Sequence, residues 1–126
     1  MLLVQDPLDF RLIPRSVDAA GRVTINDRRF AKSFAMSSDR LIEEWRPRRV
    51  EEIELADLDV LLSLQPTVIL LGTGTRHAFP SQAVLAFTLG LGVGLEPMDN
   101  AAAARTFAVL ASEGRRVVVA FLIDAT

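Results

Sequence analysis

The second half of the chain alternates between uninterrupted apolar runs and segments whose apolar residues recur with helical spacing. The apolar runs cover residues 67–71 and 117–123, and continuous runs of this kind are typical of parallel strands buried on both faces. Residues 93–97 read as another strand. Segments 81–89 and 100–114 between them read as helices. The pattern therefore predicts three parallel strands of one sheet, joined by right-handed helical crossovers, with 117–123 as the most buried strand.

Both predicted helices carry start and stop signals. Ser81 is placed to cap the first helix and Gly90 to end it. Asp99 or Asn100 is placed to cap the second, and Gly114 marks its C-terminal end. A stripe on the second helix is predicted to face the core, and it consists of Ala103, Phe107, Leu110 and Ala111.

The first part of the chain predicts an antiparallel layer. Prolines interrupt residues 1–20, which we expect to form an extended lead-in with a short strand. Alternating residues on both sides of Asn26-Asp27 then predict a hairpin. In a regular strand Phe30, Lys32 and Phe34 would share one face, which places a charge among aromatic side chains at a sheet edge.

Residues 37–59 hold most of the charge. Four basic residues between positions 40 and 49 precede five acidic ones between 51 and 59. One interpretation is a solvated surface with ion pairs; the other is a partner surface with Trp45 as its aromatic anchor. We expect Trp45 to be at least partly buried. Residues 50–55 predict a short strand, and the following segment a short helix capped by Asp57.

These elements predict a single three-layer α/β domain over residues 1–126, with a central mixed sheet and an N-terminal antiparallel hairpin layer. The formal net charge of −2 provides no positive field for nucleic acid. The chain has no cysteine and one histidine, so we predict neither a metal nor a covalent cofactor. No run reaches the roughly 20 apolar residues of a membrane span, and the N-terminal apolar run is too short for a signal peptide. We expect a cytoplasmic protein.

The stretch "LLGTGTRHAFP" places Gly72-Thr73-Gly74 directly after a buried strand. A dinucleotide fingerprint requires a third glycine where the chain has His77, and the lysine of a P-loop is absent. Two interpretations stay open. The backbone N–H groups could cradle an anion at the start of helix 81–89, or the glycines could serve a positive φ angle or close packing.

The loop Gly72–Pro80 and the turn Met98–Asn100 both follow carboxyl ends of predicted parallel strands. They should therefore meet at one edge of the sheet, where open α/β sheets keep their ligands. Arg76 adds positive charge there, and Arg105 would either reach the same face or form a salt bridge with Asp99 or Glu96. Such a surface suits a small anion or a carboxylate-bearing partner. The candidate binding residues are Gly72, Thr73, Gly74, Arg76, His77, Met98, Asp99, Asn100 and Arg105.

His77 is considered as a general base because histidine titrates near neutral pH. No sequence signature supplies the nucleophile or orienting acid that a base requires, so an ordinary loop histidine is the alternative. No residue is assigned a catalytic role.

A series of short motifs runs along the chain, namely Pro66, Gly72-Thr73-Gly74, Met98-Asp99, Ala104-Arg105-Thr106 and Glu113-Gly114-Arg115. Their order and spacing resemble the MTH-type domain family, which includes the mitochondrial complex I assembly factor three and the adipogenesis-associated MTH-type domain protein. The resemblance covers about residues 20–123 and includes Trp45 and the hairpin. It departs from the family pattern at Asn100, where threonine is usual, and at Ala108, where asparagine is usual.

The resemblance implies a three-layer α/β fold. No enzymatic activity is established for the family as a class, so the resemblance implies none for this chain. It also implies an assembly or regulatory role like that of the eukaryotic members. We therefore expect a non-enzymatic binding or assembly module whose partner is another protein, with self-association open. The alternative is a small-anion-binding protein or an enzyme that uses the Gly72–Pro80 loop with Arg76, His77 and Arg105.

Overall fold

The computed structural model describes residues 11–124, which form eight strands and three helices. The helices are α1 (Leu55–Leu62), α2 (Gln82–Gly90) and α3 (Asn100–Ser112). The strands are β1 (Pro14–Val17), β2 (Val23–Ile25), β3 (Arg28–Phe30), β4 (Lys32–Met36), β5 (Leu41–Ile42), β6 (Val68–Gly72), β7 (Gly94–Met98) and β8 (Val117–Asp124).

The larger sheet has the strand order β5-β4-β8-β6-β7. Strand β6 pairs in parallel with both β7 and β8, and β4 pairs antiparallel with β8. The three predicted parallel strands and the mixed character of the sheet are therefore confirmed. Strand β8 lies at the centre, and its first seven residues are all buried.

Burial on both faces explains the uninterrupted apolar runs. Side chains alternate across a strand, so Val119 and Phe121 join one core cluster, whereas Val118 and Ala120 join the other. Helix α3 and the antiparallel sheet β1-β2-β3 cover the first face. Helices α1 and α2 cover the second.

The predicted hairpin is formed by β2 and β3, and its turn holds Asn26 at a φ of 55°. The predicted placement of Lys32 beside the aromatic residues is wrong. The register between β4 and β8 shifts between Lys32 and Phe34, and such a bulge changes the direction in which a side chain points. Lys32 is therefore exposed, while the rings of Phe30 and Phe34 stack with centroids 4.1 Å apart.

The lead-in contains the expected short strand, because β1 pairs with β2. The part of the predicted lead-in before residue 11 lies outside the described residues. Ser81 caps α2 by accepting a hydrogen bond from the Val84 N–H, and Asp99 caps α3 by accepting one from the Ala102 N–H. Both predicted caps are confirmed.

The segment before α1 was predicted wrongly as a strand. Residues Val50–Glu52 form a short 3-10 turn, and Glu54 is the N-cap of α1. Asp57 is the third residue of the helix, where its carboxylate accepts the Glu54 N–H in a capping box. The sequence alone did not separate these two acidic residues, since either can accept hydrogen bonds from a helix N-terminus.

Trp45 is 5% exposed and its Nε1–H donates to the Asp57 carbonyl at 2.9 Å. Its predicted burial is confirmed, and this position excludes it as an exposed partner anchor. The adjacent Arg46 guanidinium forks onto both Asp57 carboxylate oxygens, at 3.0 and 2.7 Å. This hydrogen bonding lowers the pKa of Asp57 below its ordinary value.

Candidate functional site

The Gly72–Pro80 loop and the Met98–Asn100 turn meet at one edge of the larger sheet. The Thr73 N–H donates to the Met98 carbonyl at 2.8 Å, and the Asn100 N–H donates to the Gly74 carbonyl at 2.8 Å. The expected juxtaposition of the two segments is thus present. It is produced by backbone hydrogen bonds, which hold the loop in one conformation against the start of α3.

Asn100 lies at the centre of this junction and is completely buried. Its Nδ2 group donates to the carbonyls of Gly21 and Leu122, both at 2.9 Å. Its Oδ1 atom accepts the Gly74 N–H at 3.1 Å. One side chain thereby connects the N-terminal layer, the central strand and the loop. These contacts use both amide hydrogens, so Asn100 acts here as a structural residue and not as an exposed ligand contact.

The two glycines have different structural requirements. A Cβ atom on Gly72 would collide with the Asn100 Oδ1 atom and lie 3.0 Å from the Phe121 ring. A Cβ atom on Gly74 would make only an ordinary contact, 3.8 Å from the Leu122 carbonyl oxygen, but Gly74 has a φ of +100°, a conformation that L residues rarely adopt. Close packing explains the first glycine and backbone conformation the second. These two reasons, close packing and a positive φ angle, are the structural alternative that the sequence analysis left open.

The proposed anion cradle is not formed by the N–H groups of the Gly-Thr-Gly segment. The Thr73 N–H is taken by Met98 and the Gly74 N–H by Asn100. Further along the loop, the Ala78 N–H donates to the Thr73 hydroxyl at 3.2 Å. An anion would have to displace these partners, because each N–H group can make only one strong hydrogen bond.

The charged candidates are exposed. Arg76 and Arg105 both lie at the surface, and Arg105 forms no ion pair with any residue between 11 and 124, so the expected salt bridge to Asp99 or Glu96 is absent. The exposed His77 contacts the Phe79 ring edge-on, with centroids 4.6 Å apart.

Met98 is half-buried against the core cluster on the α3 side of the sheet. Asp99, beside it, is occupied as the helix cap. Of the predicted site residues, all but Arg105 belong to the loop or the turn that meet at this edge of the sheet. Only Arg76 and His77 of that group present exposed side chains that carry or can acquire charge.

A neighbouring apolar surface was missed by the sequence reasoning. We define the α2 surface as the exposed side chains of Phe79, Ala83, Ala86, Leu89 and Leu91. Its large members Phe79, Leu89 and Leu91 are 68%, 71% and 58% exposed. The available signal was the absence of any charged residue from 78 to 95, which is unusual for a helix that covers only one face of a sheet.

Strand β7 beside α2 is an edge strand. The Met98 carbonyl accepts from Thr73, so the Met98 backbone faces β6. Because successive residues point their backbone groups to opposite sides of a strand, Pro97 faces outward. Proline has no N–H group, so it removes a donor from the free edge and disfavours the addition of another strand.

Within residues 11–124, no three histidine, aspartate or glutamate side chains are gathered in an arrangement suited to a metal ion. No helix of that part of the chain is long and apolar enough to cross a bilayer. His77 hydrogen-bonds to no carboxylate in the same range that would orient it for proton transfer.

This geometry defines a small α/β domain in which an asparagine-centred junction closes the sheet edge at the carboxyl ends of β6 and β7. Residues 18–122 match the family described as "Protein of unknown function (DUF498/DUF598)", and the chain belongs to this family. A Bordetella pertussis protein described as a Mth938-like domain has a similar structure, with a TM-score of 0.79 and 29% identity over 99% of this chain and 94% of that one. The resemblance to the MTH-type family is therefore confirmed.

Two further comparisons extend this similarity. The NMR structure of a Xanthomonas campestris protein has a TM-score of 0.86 and 44% identity, over 99% of this chain and 94% of that chain. A Francisella tularensis protein named "13 kDa major membrane protein" is 24% identical over 77% of this chain and 80% of its own length.

Proposed function

We propose that this protein is a non-enzymatic binding module that docks another protein through the α2 surface. The observation that carries the proposal is the exposure of Phe79, Leu89 and Leu91, by 68%, 71% and 58%, within a segment free of charge. Large apolar side chains that remain exposed at a surface are typical of protein interfaces.

Burial of this surface would supply a large part of the binding free energy of a specific complex. Full burial of a leucine or phenylalanine side chain contributes about 1.5–3 kcal/mol. More than half of each of the three side chains is still accessible, so their burial would contribute on the order of 3–6 kcal/mol. That is a large share of the roughly 8 kcal/mol of a micromolar complex.

The proposed partner presents an apolar side-chain stripe flanked by acidic residues. Arg76 lies three residues before Phe79 and forms no ion pair among residues 11–124, so it can meet a carboxylate of the partner. Pro97 disfavours binding by strand addition. An amphipathic helix of the partner therefore fits this surface better than an extended peptide.

The proposal takes its assembly or regulatory character from the resemblance to the MTH-type family. The exposed His77 without an orienting acid supports a role that does not depend on catalysis. A cytoplasmic location belongs to the same proposal. Fractionation of cells that express the protein at its native level tests that location. Recovery with the membranes would contradict it and would favour a membrane-associated location, as the name of the Francisella relative states for that protein.

A photo-crosslinking residue at Leu89 tests the docking surface in cells. Val109 on α3 is the matched control, because it is also a large apolar residue and is 55% exposed on the other face of the domain. We expect a discrete crosslinked product from position 89 that contains a second protein. The product should disappear when Leu91→Asp is added, while the thermal transition of the purified variant stays unchanged.

The control at position 109 distinguishes specific docking from non-specific association through exposed apolar residues. Equal products from positions 89 and 109, or none from either, would contradict the proposal. A product that contains only a second copy of this chain would contradict a different protein as partner and would show that the α2 surface mediates self-association. Sedimentation of the purified protein with and without Leu91→Asp would then test the dimer.

A further inference from the structure

A second surface feature lies at the other end of the sheet. An open cavity of about 580 Å³ lies where β6 and β8 begin. The Gly72–Pro80 loop lies at the opposite end of β6. The walls of the cavity are the lead-in at 11–14, the turn between β4 and β5, the end of α1, and the second half of α3 with the segment that follows it. The volume is in the range of small-molecule sites, about 300–1,000 Å³.

The walls of the cavity are held by specific hydrogen bonds. Asn26 accepts the Ile13 N–H at 2.9 Å through Oδ1 and donates to the Arg11 carbonyl at 3.1 Å through Nδ2. The Leu12 N–H donates to the Ser38 carbonyl at 2.8 Å, which attaches the lead-in to the β4–β5 turn. The cavity is therefore preorganised, which lowers the entropic cost of binding.

The rim of the cavity is strongly basic although the whole chain is acidic. Arg11, Arg40, Arg115 and Arg116 line it, and Asp39 is the single acidic residue in the lining. Four positive charges and one negative charge leave three positive charges, against a formal net charge of −2 for the chain.

Within residues 11–124, the four cavity arginines all lack the ion pairs that most other arginines form. None of the four forms an ion pair with a residue between 11 and 124; of the nine arginines outside the cavity, six do, whereas Arg15, Arg76 and Arg105 do not. The Arg116 guanidinium has only a 3.5 Å contact with the Gln65 amide oxygen. The six paired arginines are Arg22, Arg28, Arg29, Arg46, Arg48 and Arg49.

A structural role for these arginines would be to neutralise the two helix C-termini that reach the cavity, those of α1 and α3. Each helix end is equivalent to about half a negative charge, or roughly one charge for both. Three net positive charges exceed this, so about two remain for a ligand. Helix neutralisation is therefore insufficient to account for the whole cluster.

The floor of the cavity is apolar. Phe107 is buried and contributes to the lining, together with the partly buried Leu12, Leu64 and Ala111. An apolar floor under a guanidinium rim selects a ligand with an anionic group on an apolar body, because guanidinium binds phosphate and carboxylate in a fork.

We propose that this cavity binds a small organic anion in which a phosphate or carboxylate group is attached to an apolar body. The anionic group is bound by Arg115, Arg116, Arg40 and Arg11, and the apolar body lies against Phe107 and Leu12. This function is independent of docking at the α2 surface.

The test is a titration of the isotope-labelled protein with phenyl phosphate, followed by amide NMR. Phenol is the uncharged control ligand and inorganic phosphate the control without an apolar body. We expect saturable shifts confined to segments 11–14, 37–40, 63–65 and 107–116. Inorganic phosphate should bind more weakly at the same arginines, and phenol should not saturate.

Two double variants distinguish specific binding in the cavity from a non-specific effect of positive charge on the protein. Arg115→Gln with Arg116→Gln should weaken phenyl phosphate binding by about tenfold or more. Arg48→Gln with Arg49→Gln removes the same charge from another adjacent pair, which faces Asp124 at the far end of β8, and should leave binding unchanged. Thermal transitions of all proteins are measured to show that each variant is folded.

Several outcomes would overturn the proposal. Absence of saturable shifts, shifts scattered over the surface, or equal weakening in both double variants would each show that no specific anion site exists. Equal affinity for inorganic phosphate and phenyl phosphate would remove the role of the apolar floor. None of these results bears on docking, because Leu89 and Leu91 are not part of the cavity lining.

Discussion

The contact between Gly72 and Asn100 can be tested by a double-mutant cycle. Gly72→Ala adds a Cβ atom that would collide with the Asn100 Oδ1 atom and approach the Phe121 ring to 3.0 Å. Asn100→Ala removes the carboxamide and with it the first of these collisions. If close packing against Asn100 is the reason for the glycine, the cost of Gly72→Ala must depend on which residue occupies position 100.

The magnitudes follow from the contacts. Overpacking a well-packed core typically costs about 1–3 kcal/mol, which we expect for Gly72→Ala alone. Asn100→Ala deprives the Gly74 N–H and the carbonyls of Gly21 and Leu122 of a partner. Since one unsatisfied buried polar group costs about 1–3 kcal/mol, we expect a loss of roughly 3–5 kcal/mol for the set. The double variant should be more stable than the sum of the two single losses implies, by about 1–2 kcal/mol.

Urea unfolding provides the measurement. Trp45 is the single tryptophan and is 5% exposed, so its fluorescence reports global unfolding. Coincident circular-dichroism transitions and a constant m value would show that the compared states are equivalent. Gly90→Ala is a useful control for glycine replacement, because a Cβ atom there meets nothing within 4 Å.

The reasoning would be refuted by additivity. If Gly72→Ala costs the same in both backgrounds, the glycine is required by the backbone or by Phe121 and not by Asn100. If Asn100→Ala costs less than about 1 kcal/mol, the value of a single ordinary hydrogen bond, the side chain does not hold the junction together.

Three further predictions concern the cores and the charged segment. Phe107→Ala should lower the unfolding free energy by about 3–5 kcal/mol in urea titrations, because the side chain is 1% exposed; a loss below about 1 kcal/mol would contradict its core position. Trp45 emission should shift to longer wavelength on unfolding, and a native spectrum already typical of solvated tryptophan would show that it is not buried. The Arg46 hydrogen bonds lower the pKa of Asp57 in the fold, so the associated stability should be present above about pH 4 and be lost as the pH falls through the folded-state pKa. Asp57→Asn should cost about 1–3 kcal/mol at neutral pH and reduce the loss on acidification; an unchanged pH profile would exclude this pair as a contributor.

Local features of the sequence determined much of the fold. Continuous apolar runs identified β6 and β8, because a strand covered on both faces has no polar side. The edge strand β7 contains Glu96 and was predicted from its place between the two helical segments. The caps Ser81 and Asp99 were predictable because a capping side chain bonds to a backbone N–H only three residues further along the chain. Trp45 was predicted to be buried, although its partner Asp57 was not identified.

Features that depend on distant segments required the tertiary structure. Asn100 looked like a candidate ligand contact, and its role was decided by Gly21 and Leu122, which are remote in sequence and contact it only in the folded chain. Lys32 followed the strand pattern, but the pairing of β4 with β8 introduced a register shift that moved it to the surface. Neither the hydrogen bonds of Asn100 nor the register shift at Lys32 leaves a periodic signal in the sequence.

The two proposed surfaces show the same division. The uncharged segment 78–95 was visible in the sequence, but which of its residues remain exposed depends on what α2 packs against. The cavity arginines come from three segments, near positions 11, 40 and 115. Sequence alone determined that these residues are cationic. Only the tertiary structure decided that they share one cavity and form no ion pair with any residue between 11 and 124, because the approach of separate segments depends on the packing of the whole sheet and its helices.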